Sequence, residues 1–513
     1  MKKILKLGTR RSLLAWAQSS WVAREVERLN PEVQVELVGI ETRGDRILDV
    51  PLREVNGKEF FVAEIDEALH SGSVDFTVHS MKDLSLERPP QFVCGAIPKR
   101  ENPRDVILFS PRVLERLRSG ESIRIGTSSP RRLENIPKFL EQALPQVAPQ
   151  GRPSIQFVEI RGNVNTRLSR VHEPLDSPKY LDGVVLAFAG LIRLWADEAG
   201  QKELKKLLSG VRWMILPLKE CPAAPAQGAL AVECRAQDSE IREILGKLHH
   251  LETAQRVALE RQLLADWGGG CHQRFGATAI DAQELGGVLF IRGVKSNGDA
   301  VQEIRRLNLP FREDQGARSA QLWDGSENQP SSVEKREEIP PLGGRSVFVA
   351  HSRALAGQAA QLENSRVWTS GTSSWFKLAN RGVWVEGCAE GLGFAALLDT
   401  LKEGVLTLDA LRDWVVLTHA GATEQWGAYS MTVIPAYKIN LDYGKEVRSS
   451  LQKATHVFWS SGTQFDELKN HIPPGVQHSC GPGKTADRLR KAGIVPQVFL
   501  SAEEWRKWFK KND

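Results

Sequence analysis

Val74-Asp75-Phe76-Thr77-Val78-His79-Ser80-Met81-Lys82-Asp83 reads as a strand that delivers a charged pair to the end of a sheet. Val74, Phe76 and Val78 alternate with Asp75 and Thr77, the period-two pattern of a half-buried strand. Open α/β sheets hold their ligands beyond strand ends. Lys82 and Asp83 are therefore expected on a loop at a cleft. A lone Lys-Asp pair is by default a solvated surface pair, so the surrounding chain has to separate the two readings.

Outward from this stretch, strand and helix signals alternate. Ile4 to Leu7 is a strand, followed by Gly8-Thr9-Arg10-Arg11-Ser12 and a helix to about Leu29. Thr9 or Ser12 can cap that helix, which puts Arg10, Arg11 and Ser12 at its positive end. Val33, Val35 and Leu37 alternate as a second strand, followed by Thr42-Arg43-Gly44-Asp45. Gly57-Lys58-Glu59-Phe60-Phe61 precedes a helix from Val62 to Leu69 and is compatible with a mobile cover or an ordinary turn. Ile123 and Ile125 lead to Gly126-Thr127-Ser128-Ser129-Pro130-Arg131-Arg132, with Ser129 as N-cap and Pro130 at the first helical position. The strand Ile155 to Ile160 runs into Arg161-Gly162-Asn163-Val164-Asn165-Thr166-Arg167, and Val184 to Phe188 into Ala189-Gly190-Leu191-Ile192-Arg193. Consecutive strand-to-helix junctions thus each carry arginine. A solvated face would not favour the same junction each time. The pattern points to a cleft between α/β lobes, lined with guanidinium groups for a ligand rich in carboxylates.

The chain has 513 residues, a prior of roughly three to four domains. Hydrophobic content of 41% and charged content of 26% are those of a soluble globular protein. No apolar run approaches the ~18 residues of a membrane helix, and the basic start Met1-Lys2-Lys3 lacks the long apolar core of a secretory signal. Cys94, Cys221, Cys234, Cys271, Cys388 and Cys480 are scattered without CxxC spacing, which fits a reducing cytosol. A net charge of +5 is too small to argue for nucleic acid, and stacking motifs are absent.

After a crossing segment from about Leu216 to Glu233 and a helix from Thr253 to Ala265 comes Asp266-Trp267-Gly268-Gly269-Gly270-Cys271-His272. Three glycines let a thiol approach something closely. Adjacent Cys271 and His272 lack zinc spacing, so no metal is expected; a buried inert thiol and a covalent role both stay open. Residues 312–343 are polar and read as a linker. Beyond them tryptophan becomes dense, and Trp368-Thr369-Ser370-Gly371-Thr372 is echoed by Trp459-Ser460-Ser461-Gly462-Thr463, each between a strand-like run and a helix. Two similar α/β halves are expected there.

Taken in order and spacing, the motifs of the first ~310 residues resemble porphobilinogen deaminase, also called hydroxymethylbilane synthase. They include Thr9-Arg10-Arg11-Ser12, His79-Ser80-Met81-Lys82-Asp83, the two arginine turns, Gln227-Gly228-Ala229 and Gly269-Gly270-Cys271. The resemblance implies two periplasmic-binding-protein-like lobes, residues 1–102 plus about 213–236 and residues 103–212, with a small α/β cysteine-bearing domain at 237–312. It implies a dipyrromethane cofactor carried covalently on Cys271 and porphobilinogen as substrate. Asp83 matches the catalytic aspartate. Lys82, Asp83, Thr127, Ser129, Arg131, Arg132, Arg161 and Gly162 would hold the cofactor. Arg10, Arg11, Ser12, Arg161, Arg167 and Arg193 would hold substrate carboxylates, and Lys58 and Phe61 fall in the active-site loop. The sequence departs from the family pattern at Leu84 and Ser85, at Pro130, and at Cys221-Pro222-Ala223-Ala224-Pro225, none of which removes a charged group the chemistry uses.

Residues 344–513 resemble uroporphyrinogen-III synthase through the paired turns, Tyr437 after Ile434-Pro435, and Gly481-Pro482-Gly483-Lys484-Thr485 opening a helix. That resemblance implies a two-lobed α/β domain closing the linear tetrapyrrole, with Thr369, Ser370, Tyr437, Ser460 and Ser461 as candidate site residues; a degenerate, non-catalytic domain is the alternative. A carboxylate-binding module without catalysis is the competing reading of the N-terminal lobes. The whole is expected to be a cytoplasmic monomer without nucleic-acid or membrane partners.

Overall fold

The computed structural model describes residues 2–42, 62–269, 273–295, 297–308, 320–325, 331–355 and 357–510. Strands β1 (Lys3–Arg10), β2 (Val33–Ile40), β3 (Phe76–Ser80) and β4 (Phe92–Ala96) come first; β5 (Asp105–Phe109), β6 (Ile123–Gly126), β7 (Ile155–Val158), β8 (Gly183–Ala187) and β9 (Arg212–Ile215) follow, and then β10 (Leu230–Arg235). They form two five-stranded sheets, ordered β2-β1-β3-β10-β4 and β7-β6-β8-β5-β9. In each, one strand runs antiparallel: β10 between β3 and β4, β5 between β8 and β9. The two lobes therefore share one topology. The chain crosses between them twice, at residues 97–104 and 216–229.

The strand at β3 is more deeply covered than its alternation implies. Thr77 is 0% and His79 6% exposed, so both faces are buried. The polar face is satisfied internally. Thr77 Oγ1 lies 3.0 Å from His79 Nε2, and Arg88 bridges Asp66 and Glu233, each at 2.8 Å. Burial pushes His79 down to about 4, so it is neutral. Period two here marks a polar stripe inside the protein, not a solvent face.

The third unit is the helix Leu251–Asp266 against an antiparallel sheet of β11 (Phe275–Ala282), β12 (Gly286–Val294) and β13 (Ala300–Arg306). The helix Ser239–Gly246, assigned to this unit by the expected boundary at 237, packs instead on the first lobe, where Ile241 and Leu245 join the core with Leu5 and Val232.

The C-terminal part forms two further sheets. β14 (Leu322–Trp323), β15 (Ser331–Arg336), β16 (Ser346–Val349), β17 (Arg366–Thr369), β18 (Val385–Cys388), β19 (Val415–His419), β20 (Thr432–Asp442), β21 (His456–Trp459), β22 (Gln477–Cys480) and β23 (Gln497–Val498) assort into β15-β20-β19-β16-β17-β18 and β14-β21-β22-β23. Two α/β halves are present, and the echoed turns occupy equivalent places: β17 leads to the helix Thr372–Ala379, β21 to Gly462–Leu468.

The linker expectation for 313–343 requires correction. β14 pairs with β21 and β15 with β20, and Ile339 and Leu342 are buried. A few apolar residues in a polar segment are enough to seat it on a sheet, and averaged composition hides them. Nor is the C-terminal part tethered loosely. One core runs from Phe109, Phe139 and Val185 of the second lobe to Trp375, Leu378 and Trp384. Trp384 packs edge-on to Phe109 at 5.1 Å and donates to Trp213 O at 3.0 Å. Trp375 meets Phe139 at 5.2 Å and donates to Ala143 O at 3.2 Å. Side chains of this size each stabilise by roughly 1.5–3 kcal/mol when fully buried, so the contact is a rigid seam. Among the described residues no helix is long and apolar enough to cross a membrane.

Candidate active site

At the end of β3 a 3₁₀ turn, Met81–Asp83, sets Lys82 and Asp83 beside the crossings. Asp83 is exposed and makes no side-chain hydrogen bond among the described residues. Lys82 is half-buried, and its Nζ reaches Gln227 Oε1 at 3.4 Å. Burial pushes the Lys82 ammonium down; Asp83 and Asp105 oppose this, and Arg132 and Arg131 add to it.

Asp105, the first residue of β5, is the hub below. Its buried carboxylate accepts from Arg132 Nη2 at 2.7 Å and Nε at 3.2 Å, from Gln227 Nε2 at 2.9 Å, and pairs with Arg131 at 2.8 Å. Its own pKa is driven well below the ordinary carboxylate range by the two guanidinium groups against the cost of burial. Arg131 also donates to Pro222 O, and Arg132 to Val185 O. Sequence reasoning offered both arginines as open carboxylate receptors. Each is buried and tied to Asp105. Two guanidinium groups on one carboxylate still leave a net positive charge.

The other arginine turn is less satisfied. Arg167 Nε donates to Gly162 O at 2.7 Å, and burial, with Arg132 and Arg161 near, lowers Arg167 to about 10 while Asp83 opposes. Arg161 Nη1 is buried with no hydrogen-bond partner among the described residues. Gly162 sits at φ +105°, and a Cβ there would meet Thr166 at 3.0 Å, so the turn requires glycine. Ser129 caps its helix by position only, its hydroxyl making no hydrogen bond among the described residues, and Thr127 Oγ1 accepts from Ser129 N at 3.3 Å.

Other expected residues are placed differently. Ser12, not Thr9, caps the first helix, accepting from Ala15 N at 3.4 Å. Arg11 reaches back to Gly39 O at 3.4 Å, and Arg10 lies close enough to act on the His79 charge. Arg193 donates to Gly228 O at 2.6 Å, which ties it to the second crossing. Cys271, Lys58 and Phe61 lie outside the described residues, as do Arg43, Gly44, Asp45 and Gly57. Sequence reasoning missed Asp105. The signal was a charge opening the run Asp105-Val106-Ile107-Leu108-Phe109, since a carboxylate on a fully buried strand demands partners.

In the C-terminal halves, most of the expected hydroxyls are engaged at home. Thr369 Oγ1 donates to Gly371 O, Ser460 Oγ to Gln464 Oε1, and Ser461 Oγ accepts from Gln464 N. Tyr437 is 3% exposed and packs in the core beside His419 at 5.9 Å. Ser370 is half-buried with no side-chain bond among the described residues. Where the halves meet, Lys484 Nζ lies 2.9 Å from the Trp426 ring centre, buried and without a hydrogen-bond partner among the described residues, and burial lowers it to about 6.

Residues 5–243 match the family described as "Porphobilinogen deaminase, dipyromethane cofactor binding domain". The porphobilinogen deaminase of Listeria monocytogenes serotype 4b is 38% identical over 301 residues, covering 58% of this chain and 87% of that protein. The chain belongs to the porphobilinogen deaminase family. The porphobilinogen deaminase of Shouchella clausii is 40% identical over 300 residues, covering 58% of this chain and 86% of its own. A TRAP periplasmic solute binding protein from Desulfovibrio salexigens aligns over 52% of this chain and 79% of its own with a TM-score of 0.26 at 11% identity, too low to bear on the fold.

The cofactor of the porphobilinogen deaminase family fits the donor set. A dipyrromethane carries several carboxylates, and the Arg161 Nη1 and Ser129 hydroxyl that have no partner among the described residues, with the residual charge of the Arg131–Asp105–Arg132 group, are the complementary donors.

Proposed function

We propose that this chain is a hydroxymethylbilane synthase, joining four porphobilinogen units head to tail with release of ammonia. The observation that carries the proposal is Asp83, a carboxylate without a hydrogen-bond partner among the described residues, at the edge of a cluster of cationic groups at Lys82, Arg131, Arg132, Arg161 and Arg167. Porphobilinogen brings an acetate and a propionate, so its condensation accumulates negative charge that such a cluster neutralises. Cys271 is the attachment point for the dipyrromethane, with Arg131, Arg132, Arg161, Ser129 and Thr127 holding its carboxylates. When bound, that group supplies the pyrrole α-carbon from which the chain grows.

Asp83 acts on the substrate. The aminomethyl nitrogen of porphobilinogen leaves as ammonia with the bonding electron pair, and the remaining ring is cationic. Asp83 stabilises that cation at its pyrrole N–H more than it stabilises the neutral ring, and this difference lowers the barrier. It also takes the proton released when the new bond rearomatises. Lys82, held by Gln227 at 3.4 Å, sets a cationic group beside Asp83.

For residues 344–513 we propose cyclisation of the linear product with inversion of the last ring. Two α/β halves with equivalent turns support this reading. The engagement of Thr369, Ser460 and Ser461 in their own turns favours the second reading, a non-catalytic brace. Porphobilinogen alone, given to the purified chain, followed by oxidation and separation of uroporphyrin isomers, decides. Mainly type III supports both activities, type I alone leaves only the synthase, and no uroporphyrin from folded, cofactor-bearing protein removes both.

A further inference from the structure

Glu390 is a residue of the C-terminal part, yet its carboxylate sits between the two crossings that join the N-terminal lobes. Oε1 accepts from Arg104 Nη2 at 2.6 Å and Nε at 3.0 Å, and Oε2 accepts from the backbone N–H of Lys219 at 3.0 Å. The first crossing contributes Arg104 and the second Lys219. The Glu390 side chain is 0% exposed. Its backbone is left-handed, φ +56°, where glycine is favoured, and Gly391 follows at +81°. A side chain is therefore kept at a strained position and used to grip both crossings. Asn102 Nδ2 adds a bond to Thr400 Oγ1 at 2.9 Å.

The grip leads to the cleft. Arg104 adjoins Asp105, on which Arg131, Arg132 and Gln227 converge, and Gln227 holds Lys82 beside Asp83. In a two-lobed protein, any change in lobe angle turns at the crossings. We infer that Glu390 is a positioning residue for the condensation, fixing the lobe crossings so that Asp105 and Gln227 present the cationic cluster to Asp83. The inference rests on the proposed synthase activity and concerns residues outside the catalytic set.

The test is Glu390→Gln, which keeps size and removes charge. Intact mass gives the cofactor-loaded fraction, and kcat is taken per loaded molecule. The expected result is a fall in kcat of about tenfold with KM within about twofold, and faster amide exchange at 97–104 and 216–229 with unchanged exchange in both C-terminal sheets. A purely structural pair would lower melting temperature and loading but leave kcat per loaded molecule within about twofold; that result overturns the inference. If Glu390→Gln does not accumulate, Thr400→Val removes the Asn102 bond, with a fall of about threefold expected in the same kcat; an unchanged value overturns the inference. Wild-type protein without turnover would overturn the synthase proposal and the positioning role with it, whereas active wild type with an unaffected variant overturns the positioning role alone.

Discussion

The N-terminal lobes and the C-terminal halves are built alike, with strands feeding polar turns that open helices, yet they treat their polar groups in opposite ways. Around Asp83 the groups are left over: Asp83 itself, the Ser129 hydroxyl and Arg161 Nη1 have no hydrogen-bond partner among the described residues. In the C-terminal halves Thr369, Ser460 and Ser461 close their own turns, and Lys484 is a cation left over among the described residues. The lesson is that a Ser/Thr/Gly turn does not by itself announce a ligand, because such side chains bond readily to nearby backbone. What announces one is a polar group that its own turn leaves unbonded beside others of complementary charge.

Four experiments sharpen or break this contrast. The largest effect is expected at Cys271→Ser, which should yield protein of bare polypeptide mass and no uroporphyrin of either type; cofactor found on that variant would break the assignment of the attachment site. Next, Asp83→Asn should lower kcat by about 10²-fold or more, ~3 kcal/mol of transition-state stabilisation, with folding unchanged. A wild-type rate would mean that the leftover carboxylate is not the reacting one.

Asp105→Asn tests the buried hub. Removing one charge from a buried ion group costs about 3–5 kcal/mol, measured by denaturant unfolding. Asp105 is depressed in the folded state, so its contribution is complete above an unfolded value of ~4 and is lost as pH falls further. The variant should therefore flatten the acid limb of the stability curve. An unchanged acid limb would show that Asp105 is not the acid-sensitive group.

The smallest effect belongs to Lys484. Lys484 is lowered to about 6, so between there and its unfolded value the unfolded chain binds more protons and stability rises with pH. Lys484→Met should remove that slope while leaving porphobilinogen consumption unchanged. Loss of porphobilinogen consumption in this variant would show that Lys484 bears on the condensation.

Periodicity and turn chemistry made most of the elements legible. The strand and helix ends around Asp83, the Ser129 cap with Pro130, the helix of residues 251–266 and the echo at Trp368 and Trp459 were all local patterns, and local patterns survive in one dimension. The order of the arginine turns was legible for the same reason, as was the family. Which charges stay available was not. Arg131 and Arg132 look open in sequence, but Asp105, more than twenty residues earlier, claims them in the fold. The sparse apolar residues of 313–343 look like a tether until β20 and β21 offer them an edge. Glu390 is unremarked in sequence, and only folding brings it between the two crossings. Hydrogen-bond satisfaction and charge pairing join residues far apart in the chain, so tertiary structure alone decides which polar groups are left for chemistry.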